Sequence, residues 1–155
     1  MSAYGLLTIY NLTASIGVSQ SGEAPGITWT YAPLADGIDN VAEALNETVQ
    51  QYFFLADKGF AKNHVTGMAP AFTLTGRRVV GDQAQDYIFG NKYGLDTARQ
   101  SSFQLKYENA EGAKTTITCP CTICNIQEWS GASTDDSAIS FEVRFDGKPE
   151  ITPAA

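Results

Sequence analysis

Ile139-Ser140-Phe141-Glu142-Val143-Arg144-Phe145-Asp146 alternates apolar and polar side chains along its whole length. In an extended chain successive side chains point to opposite faces, so this stretch reads as a strand with one buried and one wet face. Ile139, Phe141, Val143 and Phe145 are expected to face a core. Upstream, Gly131-Ala132-Ser133-Thr134-Asp135-Asp136 reads as a loop. Phe103, Leu105 and Tyr107 repeat the alternation against Ser102, Gln104 and Lys106. Asn109-Ala110-Glu111-Gly112 supplies a turn, after which Thr115 to Ile123 returns as a β-branched run with Ile117, Cys119, Cys121 and Ile123 on one face. Pro120 cannot donate to a ladder, so it implies a sheet edge or a bulge. Downstream, Gly147-Lys148-Pro149 opens what looks like a tail.

The first half is less regular. Ile27, Trp29 and Tyr31 alternate with threonines, and Ala71-Phe72-Thr73-Leu74-Thr75 does the same before Gly76. A short helix is predicted between Gly81 and Gly90, with Asp82 and Gln85 in a capping-box arrangement, Ala84, Tyr87 and Ile88 on one face, and Gly90 as its stop. Residues 41–56 admit two readings. Val41, Leu45, Val49, Tyr52, Phe53 and Ala56 form a helical stripe, and periodicity favours a helix. Thr48 to Leu55 is rich in β-branched and aromatic residues, which suits a strand.

The chain of 155 residues is long enough for one domain with a core of its own. No linker or internal repeat divides it, so residues 1–155 are read as a single unit. Its formal charge of −7 disfavours a nucleic-acid grip, which needs a basic stripe, and adhesion to anionic membranes. Eight Phe, seven Tyr and two Trp supply the apolar area that disordered chains lack. No apolar run approaches the length of a spanning helix, and Met1-Ser2-Ala3-Tyr4 lacks the basic start of a signal peptide, so folding in a cytosol is expected.

Catalytic signatures are wanting. His64, the single histidine, stands in a polar loop-like setting without an orienting partner and reads as an exposed loop residue. Cys119, Cys121 and Cys124 offer three sulfurs and no second cluster, whereas zinc and iron–sulfur sites generally use four ligands. They read as structural small hydrophobes. Asp82 and Asp86 read as a cap and a solvated carboxylate. Trp29 and Trp129 read as core residues, with sugar stacking as the functional alternative. Gly17-Val18-Ser19-Gln20-Ser21 lacks the second glycine of a nucleophile elbow, and no glycine-rich phosphate loop is present. No catalytic, cofactor-binding or metal-ligating residue is assigned. The class expected is α+β, mainly β, a building block and not an enzyme.

One resemblance sharpens this. Leu55-Ala56-Asp57-Lys58-Gly59-Phe60, His64-Val65-Thr66-Gly67, Phe72-Thr73-Leu74-Thr75-Gly76-Arg77-Arg78-Val79 and Gly81-Asp82-Gln83-Ala84-Gln85-Asp86-Tyr87-Ile88 follow one another as a Thr-Gly turn, a strand ending in Gly-Arg-Arg, and a Gly-Asp-opened helix. This order resembles the major tail proteins, or tail tube proteins, of tailed bacteriophages, with the nearest likeness to those of Gram-positive hosts. The likeness is close over about a third of the chain.

It implies a β-sandwich with one short flanking helix near 82–90, an extended hairpin within 41–67, and arms at the N-terminal segment and at about 147–155. Protomers would form hexameric rings that stack into a tube. The partners implied are further copies of the chain, a tape-measure protein, a tail terminator and baseplate or distal tail proteins. The tube would be assembled in the host bacterial cytoplasm and carried in the virion tail, and DNA would transit it without specific binding. No cofactor and no membrane contact are implied. Each copy would bring a charge of −7, which repels passing DNA where it lines the lumen. Tyr52, Phe53, Phe54, Leu55, Arg77 and Arg78 are the expected assembly-interface residues. The alternative is a β-sandwich decoration or carbohydrate-binding module that uses Trp29 or Trp129.

Overall fold

Strand β9 (Ala138–Phe145) buries Ile139, Phe141 and Val143 and turns Arg144 to solvent, as its alternation requires. Around it the computed structural model arranges β1 (Thr13–Ser21), β2 (Thr28–Pro33), β3 (Ile38–Ala44), β4 (Thr48–Tyr52), β5 (Lys62–Gly67), β6 (Ala71–Arg77), α1 (Gln83–Gly90), β7 (Gln100–Glu108), β8 (Lys114–Gln127) and β10 (Glu150–Thr152). The structure describes residues 5–22, 27–108 and 111–153; Met1-Ser2-Ala3-Tyr4 and the first half of the expected 109–112 turn lie outside them.

The main sheet is antiparallel, in the order β2-β1-β7-β8-β9-β6-β3, with β10 added on β8. It curls strongly. Phe103 on β7 and Phe72 on β6 are three strand positions apart, about 14 Å in a flat sheet. Their ring centroids are nonetheless 5.4 Å apart. The two apolar faces that meet in the core therefore belong to one continuous sheet folded over itself, which joins Ile16, Ala32, Leu74, Phe103, Cys121 and Phe141 in one cluster. The mainly-β architecture, with one short α-helix among the described residues, is the one the sequence led us to expect.

Helix α1 closes one end of this core with Ala84, Ile88 and Phe89, the last edge-on to Phe141 at 6.3 Å. Asp82 caps it, Oδ2 accepting from the Gln85 backbone N–H at 3.1 Å. The capping box is incomplete, because the Gln85 side chain is fully buried and engaged elsewhere. Its Nε2 donates to the Asp36 and Arg77 carbonyls, and its Oε1 accepts from Val79 N–H at 2.8 Å. Gly90 does not stop the helix either; it is the last helical residue, and the Asn91 side chain caps the Tyr87 carbonyl.

The helical reading of 41–56 is overturned. Val41 lies in β3 opposite Leu74, Val49 and Tyr52 lie in β4, and Ala56 lies in a 3-10 turn, Leu55–Asp57. Cross-strand pairing with 62–67 outweighs the apolar spacing, as the β-branched and aromatic content allowed. The expected C-terminal tail is partly folded, since Glu150, Ile151 and Thr152 pair with Thr118, Ile117 and Thr116. Between this pairing and that of Phe145 with Cys121, residues 146–149 bulge opposite Cys119 and Pro120. Pro120 thus marks a bulge, and its carbonyl accepts from Asp146 N–H at 2.8 Å.

Candidate assembly surface

Two β-hairpins in the first half are one ribbon. Ala44 pairs with Ala71 in the main sheet, and Thr48 pairs with Gly67 beyond it, four residues on along each strand, so the register runs through unbroken. Ala69 N–H bonds the Leu45 carbonyl at 2.9 Å across the junction. Asn46, at a left-handed φ of 50°, braces the bend there by donating from Nδ2 to the Ala69 carbonyl at 3.0 Å. The ribbon leaves the sheet at this point, and among the described residues β4 and β5 pair only with each other.

From Ala42 to Ala69 every residue is exposed except Asp57, which is half-covered. Leu55 is 94% exposed and Phe60 79%. Tyr52 and Phe54 stack on each other with centroids 5.5 Å apart, covering part of their own area. A lone two-stranded hairpin is marginal in water, and one tipped with Phe53, Phe54, Leu55 and Phe60 leaves a large apolar surface uncovered. The structure therefore brings Tyr52, Phe53, Phe54 and Leu55 together on the arm. His64 is exposed as expected but sits on β5 opposite Gln50, not in a loop.

Arg77 and Arg78 lie apart from the arm, at the far end of β6. Arg77 is exposed and donates to the Asp136 carbonyl at 3.0 Å. Arg78 is largely covered; its Nε donates to Glu128 Oε2 at 2.8 Å and its Nη2 to Asp86 Oδ1 at 2.9 Å. Lys92 Nζ bonds the other Glu128 oxygen at 2.5 Å. Partial burial pushes the Glu128 carboxyl up, but hydrogen bonds from Lys92 and Arg78 outweigh it and hold the group below its usual range. Asp86 is likewise held low, first by its Arg78 hydrogen bond. Sequence reading missed Glu128 and Lys92, whose separation in the chain conceals their contact.

At this same end Lys92 Nζ stands 3.4 Å from the Trp129 ring centroid and 5.0 Å from that of Tyr93. Trp129 is 68% exposed, so the core role expected of it does not hold; Trp29 is half-buried, its ring against Gly17. Cys119 and Cys121 face the core, Cys124 is half-buried, and all three are free thiols. Burial pushes each thiol up, Cys121 most strongly. Among the described residues no group of three or more His, Cys, Asp or Glu is arranged to hold a metal, and no helix is long and apolar enough to cross a membrane. A cleft of about 720 Å³ lies between the N-terminal segment at Leu6, Leu7 and Tyr10 and the β7–β8 ends at Tyr107 and Lys114.

No family model and no curated protein matches the chain. Solved structures do. The chain is similar to one in the tail of an empty gene transfer agent particle obtained by helical refinement with C6 symmetry, at a TM-score of 0.62 and 13% identity, covering 96% of this chain and 100% of that one. It is similar to a chain of the anti-feeding prophage cap that terminates the tube, with a TM-score of 0.60, 13% identity and coverage of 99% and 95%. A chain of the extended sheath–tube complex of an extracellular contractile injection system gives 0.58, 13%, 97% and 93%. The shared property is the fold, which these tail, cap and sheath–tube chains have in common with 96–99% of this chain.

Proposed function

We propose that this chain is the structural subunit of a tail tube, closing into hexameric rings that stack into a conduit for DNA. One observation carries the reading: a whole-chain tube-like fold bears an uncovered apolar arm, which a monomer has no use for. Among the described residues the terminal strands β2 and β3 are each paired on one side only, and ring closure is a way to satisfy such edges. The net charge of −7 suits a conduit wall that DNA passes without adhering. The partners that follow are further copies of the chain, a terminator, a tape-measure protein and distal tail proteins, in a virion tail assembled in the bacterial cytoplasm. A Gram-positive host rests on the sequence resemblance alone.

Exposed Trp129 favours a second reading, a decoration or carbohydrate-binding module. Lys92 already occupies one face of that indole, which leaves a single face for a sugar. Negative-stain microscopy of concentrated protein decides between them. Rings or tubes are expected; persistent monomers with affinity for a glycan would replace the tube reading.

A further inference from the structure

The N-terminal segment stands between two clefts. Residues 5–11 are all exposed, and Leu6, Leu7, Ile9 and Tyr10 among them are apolar or aromatic. On one side is the cleft of about 720 Å³, whose far wall carries Lys106, Glu108 and Lys114. On the other is a gap of about 460 Å³ whose far wall holds Leu34, Ile38 and Val41. Among the described residues that line this gap, Asp39 alone is charged.

The gap is a seam in the curled sheet. Strands β2 and β3 end the strand order, yet only residues 34–37 connect them, so the two ends of the sheet come back together here. Leu34 N–H bonds the Ala14 carbonyl at 2.7 Å, which brings the connection against β1. Leu12, Ile38 and Val41 pack on the core, so the floor of the gap is apolar. A 3-10 turn, Ile9–Asn11, sets Thr8 and Ile9 on its rim. In that turn Asn11 N–H bonds the Thr8 carbonyl at 2.9 Å and Leu12 N–H the Ile9 carbonyl at 3.0 Å.

We infer that the N-terminal segment is a strap that closes over this seam, seating Ile9 against Leu34, Ile38 and Val41 of its own chain. Ile9 is 57% exposed, and moving it onto an apolar wall removes both surfaces from water. The charged wall of the larger cleft offers no such gain. Ile9 is tethered to the rim through Leu12, so its effective concentration there is on the order of millimolar or above, which a second copy reaches only in concentrated solution. The strap covers side chains and adds no strand, so the edges of β2 and β3 stay open to other pairing. The closure concerns a single chain and stands whether or not that chain builds a tube.

Disulfides across the seam test it, in the full chain carrying Cys124→Ser. Thr8→Cys/Asp39→Cys places one thiol on each wall of the seam and leaves its apolar residues in place. Gly5→Cys/Lys114→Cys does the same across the larger cleft. In dilute protein with oxidised glutathione, the first pair is expected to close within the chain about tenfold faster than the second. Adding Ile9→Asp is expected to slow the first pair about tenfold, the loss that follows from forfeiting burial of one aliphatic side chain, and to leave the second unchanged. Ile9 lies outside the buried core, so the fold survives this change, and the milder Ile9→Ser should slow closure less. Equal rates for the two pairs, or a seam rate untouched by either change at Ile9, overturn the strap. Disulfides that form only between chains give the seam to a second copy and overturn it as well.

Discussion

Gly76 passes so close to Gly37 that a Cβ built on it would lie 1.9 Å from the Gly37 carbonyl oxygen. That carbonyl accepts from Arg77 N–H at 2.7 Å, beside the irregular pairing of Ile38 with Gly76. Gly37 itself holds φ at +77°, open to glycine at little cost. The contact clamps the sheet-bound end of the ribbon that becomes the arm. Gly76→Ala must push β3 and β6 apart, and overpacking of this kind costs about 1–3 kcal/mol. Thermal unfolding should show a clear loss, whereas Gly59→Ala, with nothing within 4 Å but a positive φ, should show a smaller one. Equal stability of Gly76→Ala and the parent would refute the close contact.

Phe141 is fully buried, between Phe89 of the helix and the strands around it. Phe141→Ala is expected to cost about 3–5 kcal/mol in denaturant unfolding, the range for deleting a core aromatic. A midpoint within error of the parent would remove Phe141 from the core.

The alternating strands were legible because their period of two is set by burial on one face, and Phe141 and Phe103 are the residues that carry it. The helix was legible from Asp82. What was hidden depends on distant pairing. Val41, Leu45, Val49 and Tyr52 have helical spacing only by coincidence, since one belongs to the main sheet and the others to its projecting continuation. Glu128 joins Arg78 and Lys92 across separations of 50 and 36 residues, which no local pattern reveals. Gln85 looked like half of a cap and is instead the buried bridge between Asp36, Arg77 and Val79.

Glu128 makes stability depend on acid. Its folded carboxyl titrates below the ordinary glutamate value of 4.5, so it stabilises the fold fully above that pH. The contribution is lost as pH falls through the lower folded value. Glu128→Gln, which leaves Arg78 and Lys92 without their shared anion, is expected to cost about 1.5–3 kcal/mol at pH 7. The gap from the parent should narrow as pH drops below 4.5. A gap that stays constant down to acid unfolding would mean that the carboxylate's charge contributes nothing.

The thiols give a chemical check on burial. Cys119 and Cys121 are fully covered and their thiolates disfavoured, so both should resist alkylation in native protein at pH 8. Cys124, half-buried, should react slowly, and all three should react at once in denaturant. Mass spectrometry after a short iodoacetamide pulse reads this directly. Rapid native labelling at Cys121 would contradict its place in the core.

The arm separates folding from assembly. Phe53, Phe54 and Leu55 are exposed in the single chain, and burial in its core plays no part in their environment. Phe54→Asp should therefore leave thermal stability within about 0.5 kcal/mol of the parent, as surface changes usually do. The loss should fall on polymerisation, since a carboxylate at this tip must be desolvated to enter a contact. Phe53→Asp provides the matched neighbour. At least one of the two variants is expected to be a folded monomer by circular dichroism and sedimentation, unable to form tubes under conditions where the parent does. Two variants that both unfold would place the arm in the folding core. Two that both polymerise normally would show that the apolar tip is not an interface, whatever surface covers the rest of the ribbon.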